Sequence, residues 1–272
     1  TIGADGNVQS QAQASGSAFA QNVNGSHLGG IGSGSGAYAL GDLDVYGTSL
    51  AEEADITIGQ SGNITGLAIV GTLNSGVLGN QVSVTSTTTE GTSYAVGTVN
   101  TAGIQGTVDS TNPGFSSNNP GTDYSLLTAG PLDGDVIGQS ITGMAVLANT
   151  IGSTSDDDAS SSMIANIAGL QNVDILGGQT GVNLIKGTST GDYDSTAISI
   201  KGDASAVGEV NGYGIFSPAS QAGDIVTSGN IQAIANLLNT VVASSVSGSA
   251  NATAATTAVG IGNYNVTILG SG

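Results

Sequence analysis

The chain lacks cysteine, tryptophan and arginine, and its only cations are Lys186 and Lys201. Without cysteine there is no disulfide framework, no thiol chemistry and no thiolate-ligated metal. The single histidine, His27 in NGSHLGG, cannot build an ordinary zinc site without cysteines or further histidines. Nothing around it resembles the strained turn of a Ser-His-Asp nucleophile, so His27 reads as a polar loop residue. Two lysines against a formal net charge of −18 cannot neutralise a phosphate backbone or an anionic lipid surface. Nucleic acid and charged membranes are therefore poor partners. Glutamate is confined to Glu52, Glu53, Glu90 and Glu209, and no tryptophan offers a sugar platform beside a carboxylate pair. The glycine-rich run GIGSGSG has no lysine to follow it, so it is no phosphate cradle. These absences predict a protein that is not an enzyme. No uninterrupted apolar run is long enough to span a bilayer as a helix.

What is present is small. Glycine occupies 45 of 272 positions and aromatics make up only 4%. Small side chains let backbone layers approach closely but bury little apolar area each. Stability must then come from many backbone hydrogen bonds, an arrangement suited to stacked strands. The scarcity of lysine and arginine leaves few sites for trypsin-like proteases. The start at Thr1 reads as a mature form after removal of an export signal, which predicts an extracellular or cell-surface protein.

A motif recurs along the chain. Thr1 to Ala12 reads TIGADGNVQSQA and Thr57 to Ala68 reads TIGQSGNITGLA, identical at six of twelve positions. SGNIQAIA from Ser228 matches SGNITGLA from Ser61, VIGQSITGMAV from Val136 is a gapped version, and VTILGSG closes the chain from Val266. Each copy predicts a short β-branched strand, a Gly-containing turn and a second strand. The copies start at unequal intervals, so a strict solenoid with one coil per repeat does not follow from spacing.

Further strands are predicted at Gln81 to Thr88 and Ser93 to Val99 around Glu90-Gly91. Hairpins are predicted from Ser195 to Ile200 into Ala204 to Val210, and from Ala252 to Val259 into Asn265 to Leu269. Two stretches carry helical spacing: Ile231, Ile234, Ala235, Leu238, Val241 and Val242, and more weakly Met163, Ile164, Ile167 and Leu170. The fold class predicted is all-β: a β-solenoid or β-roll-like stack, or a stacked-sheet sandwich, of short strands with up to two short helices. Residues 1–272 form one elongated β domain or two lobes, 1–108 and 122–272. The joint would be the Pro/Gly/Asn loop 109–121. STSDDDASSS, Ser153 to Ser162, reads as an exposed loop, and Gly29 to Gly36 as a low-complexity stretch.

Calcium is the one cofactor for which the sequence offers ligands. Asp42 with Asp44, Asp133 with Asp135, and Asp192 with Asp194 each place two carboxylates on one face of a strand. No pair completes a calcium-binding loop. The competing reading is an acidic edge that blocks unwanted strand pairing.

The Gly, Ala, Ser, Thr, Asn-rich texture resembles secreted surface proteins with β structure: extracellular fibre, sheath or adhesin subunits. AVGIGN, Ala258 to Asn263, resembles the short repeats of β-roll adhesin heads. The resemblance implies a homopolymer of a structural subunit, a filament, pilus-like fibre or coat. The matching terminal strands, Thr1, Ile2 and Gly3 with Val266, Thr267, Ile268 and Leu269, would join subunits by strand addition. The alternative is an adhesin or fibre-tip module contacting glycans or other cells, through Tyr38, Tyr46, Tyr124 or Tyr213.

Overall fold

A computed structural model describes residues 7–15, 17–22, 36–49, 56–57, 63–70, 72–74, 77–79, 82–89, 91–105, 135–138, 140–171, 174–177, 184–217 and 223–268. Its described secondary structure is all strand, arranged as the all-β, stacked parallel sheets that the composition predicts. Outside one small antiparallel insertion, successive segments do not pair with each other. Each pairs in parallel with the segment about one turn later, and the chain cycles through three sheets. That is a β-solenoid, with five coils among the described residues.

The front wall stacks Val8–Ala14 and Ser17–Asn22 of coil 1, then Asn63–Val70 and Val82–Thr88 of coil 2. Above these lie Ser140–Ser155, Leu184–Ser199 and Asn230–Ser245 of coils 3 to 5. The back wall stacks Gly36–Ser49, Thr92–Gln105, Ala159–Gln171, Ala204–Phe216 and Ala250–Gly262. A narrow side wall stacks Ile56–Thr57, Asp135–Gly138, Asp174–Gly177, Gly223–Thr227 and Tyr264–Ile268. Strands on both sides of 109–121 thus share all three sheets. Residues 109–121, Gly29 and most of the stretch that follows it, and His27 lie outside the described residues.

The register stacks like on like. Ile64, Ile141, Ile185 and Ile231 form one inward column, with repeats 77, 44 and 46 residues apart. One coil per repeat therefore holds, and the unequal spacing comes from extra residues inside the early coils. One insertion carries Thr72–Asn74 and Val77–Gly79, the one antiparallel pair among the described residues. The recurring motif is the passage from side wall to front wall. Asp174–Gly177 is a further copy, separated from its front strand by residues 178–183.

Several sequence expectations are corrected. The stretch from Ile231 to Val242 is no helix but part of a front-wall strand. Ile231, Ala235 and Val241 face inward while Ile234, Leu238 and Val242 face out. Apolar residues on both faces imitate a period near four, and parallel pairing along the whole neighbouring strand decides the outcome. Met163, Ile164, Ile167 and Leu170 lie in a back-wall strand for the same reason. The hairpins predicted at 195–210 and 252–269 are corners: their two arms belong to different sheets. The arms flanking Glu90-Gly91 likewise lie in the front and back walls. Ser153 to Ser162 is not a loop either, for strands run to Ser155 and resume at Ala159, leaving a three-residue corner. Strands reach 16 residues rather than being uniformly short.

Glycine divides the interior. In the front wall, Gly66, Gly143 and Gly187 stack in one column. In the back wall, Gly47, Gly103, Gly169 and Gly214 stand at the bend that the register skips. A Cβ on Gly103 would strike the backbone of Gly143, Met144 and Gly169, and one on Gly169 the backbone of Gly187, Thr188 and Gly214. The two walls meet backbone to backbone along this seam, which a side chain would wedge apart. On one side of it lies an isoleucine-rich cluster shared with the side wall: Ile64, Ile104, Ile141, Leu170, Ile175, Ile185, Ile215 and Ile225. On the other side the walls form a thin sandwich of small residues around Val99, Leu147, Ile151, Met163 and Tyr193. The Tyr193 ring fills the space left by Gly191, its inward neighbour on the same strand.

Candidate assembly surface

The corners carry a repeated hydrogen-bond device. Where the front wall turns into the back wall, Ser155, Ser199 and Ser245 stack in register. Each serine hydroxyl accepts an N–H of its own corner: Asp157 at 2.9 Å, Gly202 at 3.0 Å and Gly248 at 2.8 Å respectively. Each donates to the corner of the coil before. Ser155 reaches the Gly91 carbonyl, Ser199 the Asp157 carbonyl and Ser245 the Gly202 carbonyl at 2.7 Å. The aspartates of these corners are absorbed in the same way. Asp157 Oδ2 accepts from the Gly91 N–H at 2.7 Å, Asp158 Oδ1 from the Asp203 N–H at 2.8 Å and Asp203 Oδ1 from the Ser249 N–H at 2.8 Å. A carboxylate that accepts a backbone N–H satisfies a donor the corner would otherwise leave open. Lys201 adds a surface ion pair with Asp156 at 3.7 Å.

A second ladder runs up the outside of the back wall. The Asn100 amide donates to Asp44 at 2.9 Å, Asn166 donates to Asn100 at 2.9 Å, and Asn211 donates to Asn166 at 3.2 Å. The underlying Asn-x-x-Gly-Ile/Leu repeat spans Asn100 to Ile104, Asn166 to Leu170 and Asn211 to Ile215. Sequence reasoning missed it, because glycine and isoleucine are too common here for a two-residue match to stand out. Its signal is the constant interval between the amide and the seam glycine.

The acidic pairs separate on inspection. Asp42 and Asp44 share the outer face of the back wall. Burial raises Asp42 above the usual carboxylate range, and the Asp44 charge adds to this. Asp192 and Asp194 lie on the outer face of the front wall, either side of the buried Tyr193. Burial pushes the Tyr193 hydroxyl up, with Asp192 adding to the shift. Asp133 lies outside the described residues, and Asp135 is described only through its backbone pairing with Asp174. Among the described residues no three His, Asp or Glu side chains come together as a metal site.

The two ends of the stack differ from its middle. In coil 5 the inward side chains of Asn230–Ser245 are only half-buried, whereas their counterparts Ile141, Ala145 and Ile185 are fully buried. The back-wall strand Ala250–Gly262 is exposed nearly throughout, and in the side wall Val266 and Ile268 are 44% and 63% exposed. Coil 1 mirrors this with half-buried Ala12, Ala14, Ala18 and Ala20. Of the proposed contact residues, Val266, Thr267 and Ile268 form this outermost side-wall strand, paired on one edge with Gly223–Thr227. Thr1, Ile2, Gly3 and Leu269 lie outside the described residues.

Charge is distributed unevenly in the same sense. After Asp224 there is no Asp, Glu, Lys or Arg, and none stands between Asp5 and Asp42. The outermost front-wall strands at both ends are therefore uncharged in a strongly acidic protein. Among the described residues no helix is long and apolar enough to cross a membrane. The chain matches no protein-family model, no curated protein and no solved structure.

Proposed function

We propose that this protein is a non-catalytic structural subunit of an extracellular filament, pilus-like fibre or surface coat, joined to copies of itself through the open strand edges of its solenoid. The single observation that carries the reading is the character of coil 5. Among the described residues its outer strand edges have no partner strand, its inward apolar side chains are half-covered, and its one ionisable side chain is Tyr264. Exposed edges of this kind are a liability unless paired, and natural proteins block them with charge, proline or a covering element. Residues 225–272 contain neither charge nor proline. Parallel strand addition supplies backbone hydrogen bonds for affinity and alternate side chains for register. A contact between unlike ends does not close on itself, so it propagates as a fibre.

Electron microscopy of the purified protein tests this. Filaments or sheets are expected, favoured by salt that screens the acidic middle coils. Dispersed monomers in every salt and calcium condition overturn the reading.

A second reading, an adhesive module, draws on the outer back wall. Tyr38 and Tyr94 pack with ring centroids 6.0 Å apart, and Tyr94 is 39% exposed. Exposed aromatic faces suit sugar rings. Binding to a glycan array that is lost in Tyr94→Ala supports this reading, and an array without hits removes it.

A further inference from the structure

The corner and column rules of the solenoid do not stop at coil 5, and they specify what comes next. We infer that coil 5 of one copy receives coil 1 of a second copy in the same register that stacks the coils within one chain. This rests on the filament reading above and sharpens it from edge pairing to one defined junction.

Three observations converge. The first is a hydrogen bond that recurs at two of the steps between coils, at the corner that opens the front wall. Asn7 Oδ1 accepts the Asn63 N–H at 2.9 Å, and Ser140 Oγ accepts the Leu184 N–H at 3.4 Å. In each case the side chain of one coil takes the N–H of the next. The register runs Asn63, Ser140, Leu184, Asn230, so Asn230 holds this acceptor position at the open edge. The residue that begins the column is Asn7, one before Val8. Its N–H is the donor that the rule assigns to Asn230 of the copy below.

The second is the corresponding rule at the opposite corner. Asp158 accepts from the Asp203 N–H and Asp203 accepts from the Ser249 N–H. Ser249 is next in the series. Ala250 falls in the column of Ala204, Ala159, Ser93 and Ala37. The donor that Ser249 awaits is then the Gly36 N–H of the next copy. Both corners place coil 1 at the same height and register.

The third is charge and side-chain fit. In this register Asn230–Ser245 meets Val8–Ala14 and Ser17–Asn22, three segments without a charged side chain. The half-buried Leu237 and Val241 are then covered by the small Ala14 and Ala18. In the side wall Val266 comes opposite Ile56, and in the amide ladder Thr257 comes beneath Asp44. A junction displaced by an odd number of residues would turn inward columns outward.

The absence of cysteine makes a direct test available. Ser17 and Thr240 are exposed and, in this register, become neighbours on the outer front wall. Adjacent strands lie about 4.8 Å apart, within the span of a disulfide. Protein carrying both Ser17→Cys and Thr240→Cys is assembled, oxidised and run on a denaturing gel. A ladder of covalent oligomers is expected. The shifted pair, Ser17→Cys with Ser244→Cys, gives no ladder because four residues displace the thiols by about 13 Å. Thr240→Cys alone gives no dimer. Five coils also set an axial rise of about 24 Å per subunit in filaments of the unmodified protein, readable by helical image reconstruction. Filaments that ladder with the shifted pair, or that repeat at another rise, overturn the junction while leaving the filament reading standing. A covalent dimer of Thr240→Cys alone, marking like ends together, also overturns it. Protein that never assembles removes both.

Discussion

Coils 4 and 5 occupy the same three walls in unbroken register, yet they are different environments. Ile185 is fully buried between Ile141 and Ile231, while Ile231 itself is half-exposed. Coil 4 carries Asp192, Asp194, Asp203, Glu209 and Asp224, and coil 5 carries no charged side chain. In a solenoid, burial is supplied by the neighbouring coil rather than by the coil's own sequence. The same inward pattern is buried core in one coil and half-exposed in the next, and charge falls away with burial.

The strongest way to break this comparison is to load the glycine seam. Gly169→Ala drives a methyl into the backbone of the front wall and is expected to cost about 3 kcal/mol or more, or to prevent folding. The matching Gly260→Ala meets the Ala233 carbonyl at 3.4 Å and the Ala233 Cβ at 3.9 Å, and should shift the unassembled subunit by about 0.5 kcal/mol or less. Denaturant titration of both variants measures the gap. Equal costs would mean that the walls are not in backbone contact.

The column of isoleucines gives the next effect. Ile185→Ala is expected to destabilise by about 3–4 kcal/mol, and Ile231→Ala by roughly half of that in the monomer because its site is already partly wet. On assembly the two costs should converge if a second copy covers Ile231 as in the proposed junction. Thermal unfolding of dispersed and assembled protein separates the cases.

The corner serines should rank below this. Ser199→Ala removes an acceptor for the Gly202 N–H and a donor to the Asp157 carbonyl, a loss of about 1–2 kcal/mol. Ser245→Ala in coil 5 removes the same pair of bonds at a more exposed corner, at about 0.5–1 kcal/mol. A larger loss at Ser245 would contradict the contrast between covered and open coils.

Smallest is the pH effect at Asp42. Its carboxyl is raised by burial and then by Asp44, so the folded state holds the proton more tightly than the unfolded chain. Stability from this group is therefore present at acid pH. It falls as pH rises from the ordinary carboxylate value toward the raised one, and the loss then stays constant to neutrality. Asp42→Asn should be slightly stabilising at pH 7 and without effect near pH 3, an effect kept small by solvent screening of this exposed residue. Melting curves across that range check the sign.

Much of the fold was legible in particular residues. The glycine count and the scarce aromatics point to thin, closely approaching layers, and the TIG…GN motif links the side-wall strand at Thr57 to the front-wall strand at Asn63. Three features hid the rest. Insertions in coils 1 and 2 stretched the repeat interval, so the regular stacking seen between Ile141, Ile185 and Ile231 did not emerge from motif spacing. Parallel pairing joins residues some 45 positions apart, and local alternation interrupted by a Gly-Asp turn looks the same whether the arms pair with each other or with distant coils. Outward apolar residues such as Ile234, Leu238 and Val242 broke the two-residue period and imitated a helix. Of the site, the expectation that the ends join copies rested on the termini's shared motif. The acceptor rule at Asn7, Ser140 and Asn230 needed the register before it could be seen.

The glycine seam also has a mechanical meaning. Side chains transmit force through torsions that can yield, but at the seam peptide bears directly on peptide, with no rotamer between them. A squeeze across the walls meets an incompressible line that runs through the four inner contacts from Gly47 to Gly214. In the proposed fibre, stacked copies would carry that line along its length, a stiff spine beside the isoleucine-rich cluster. Such a rod would resist flattening and bend most easily in one plane.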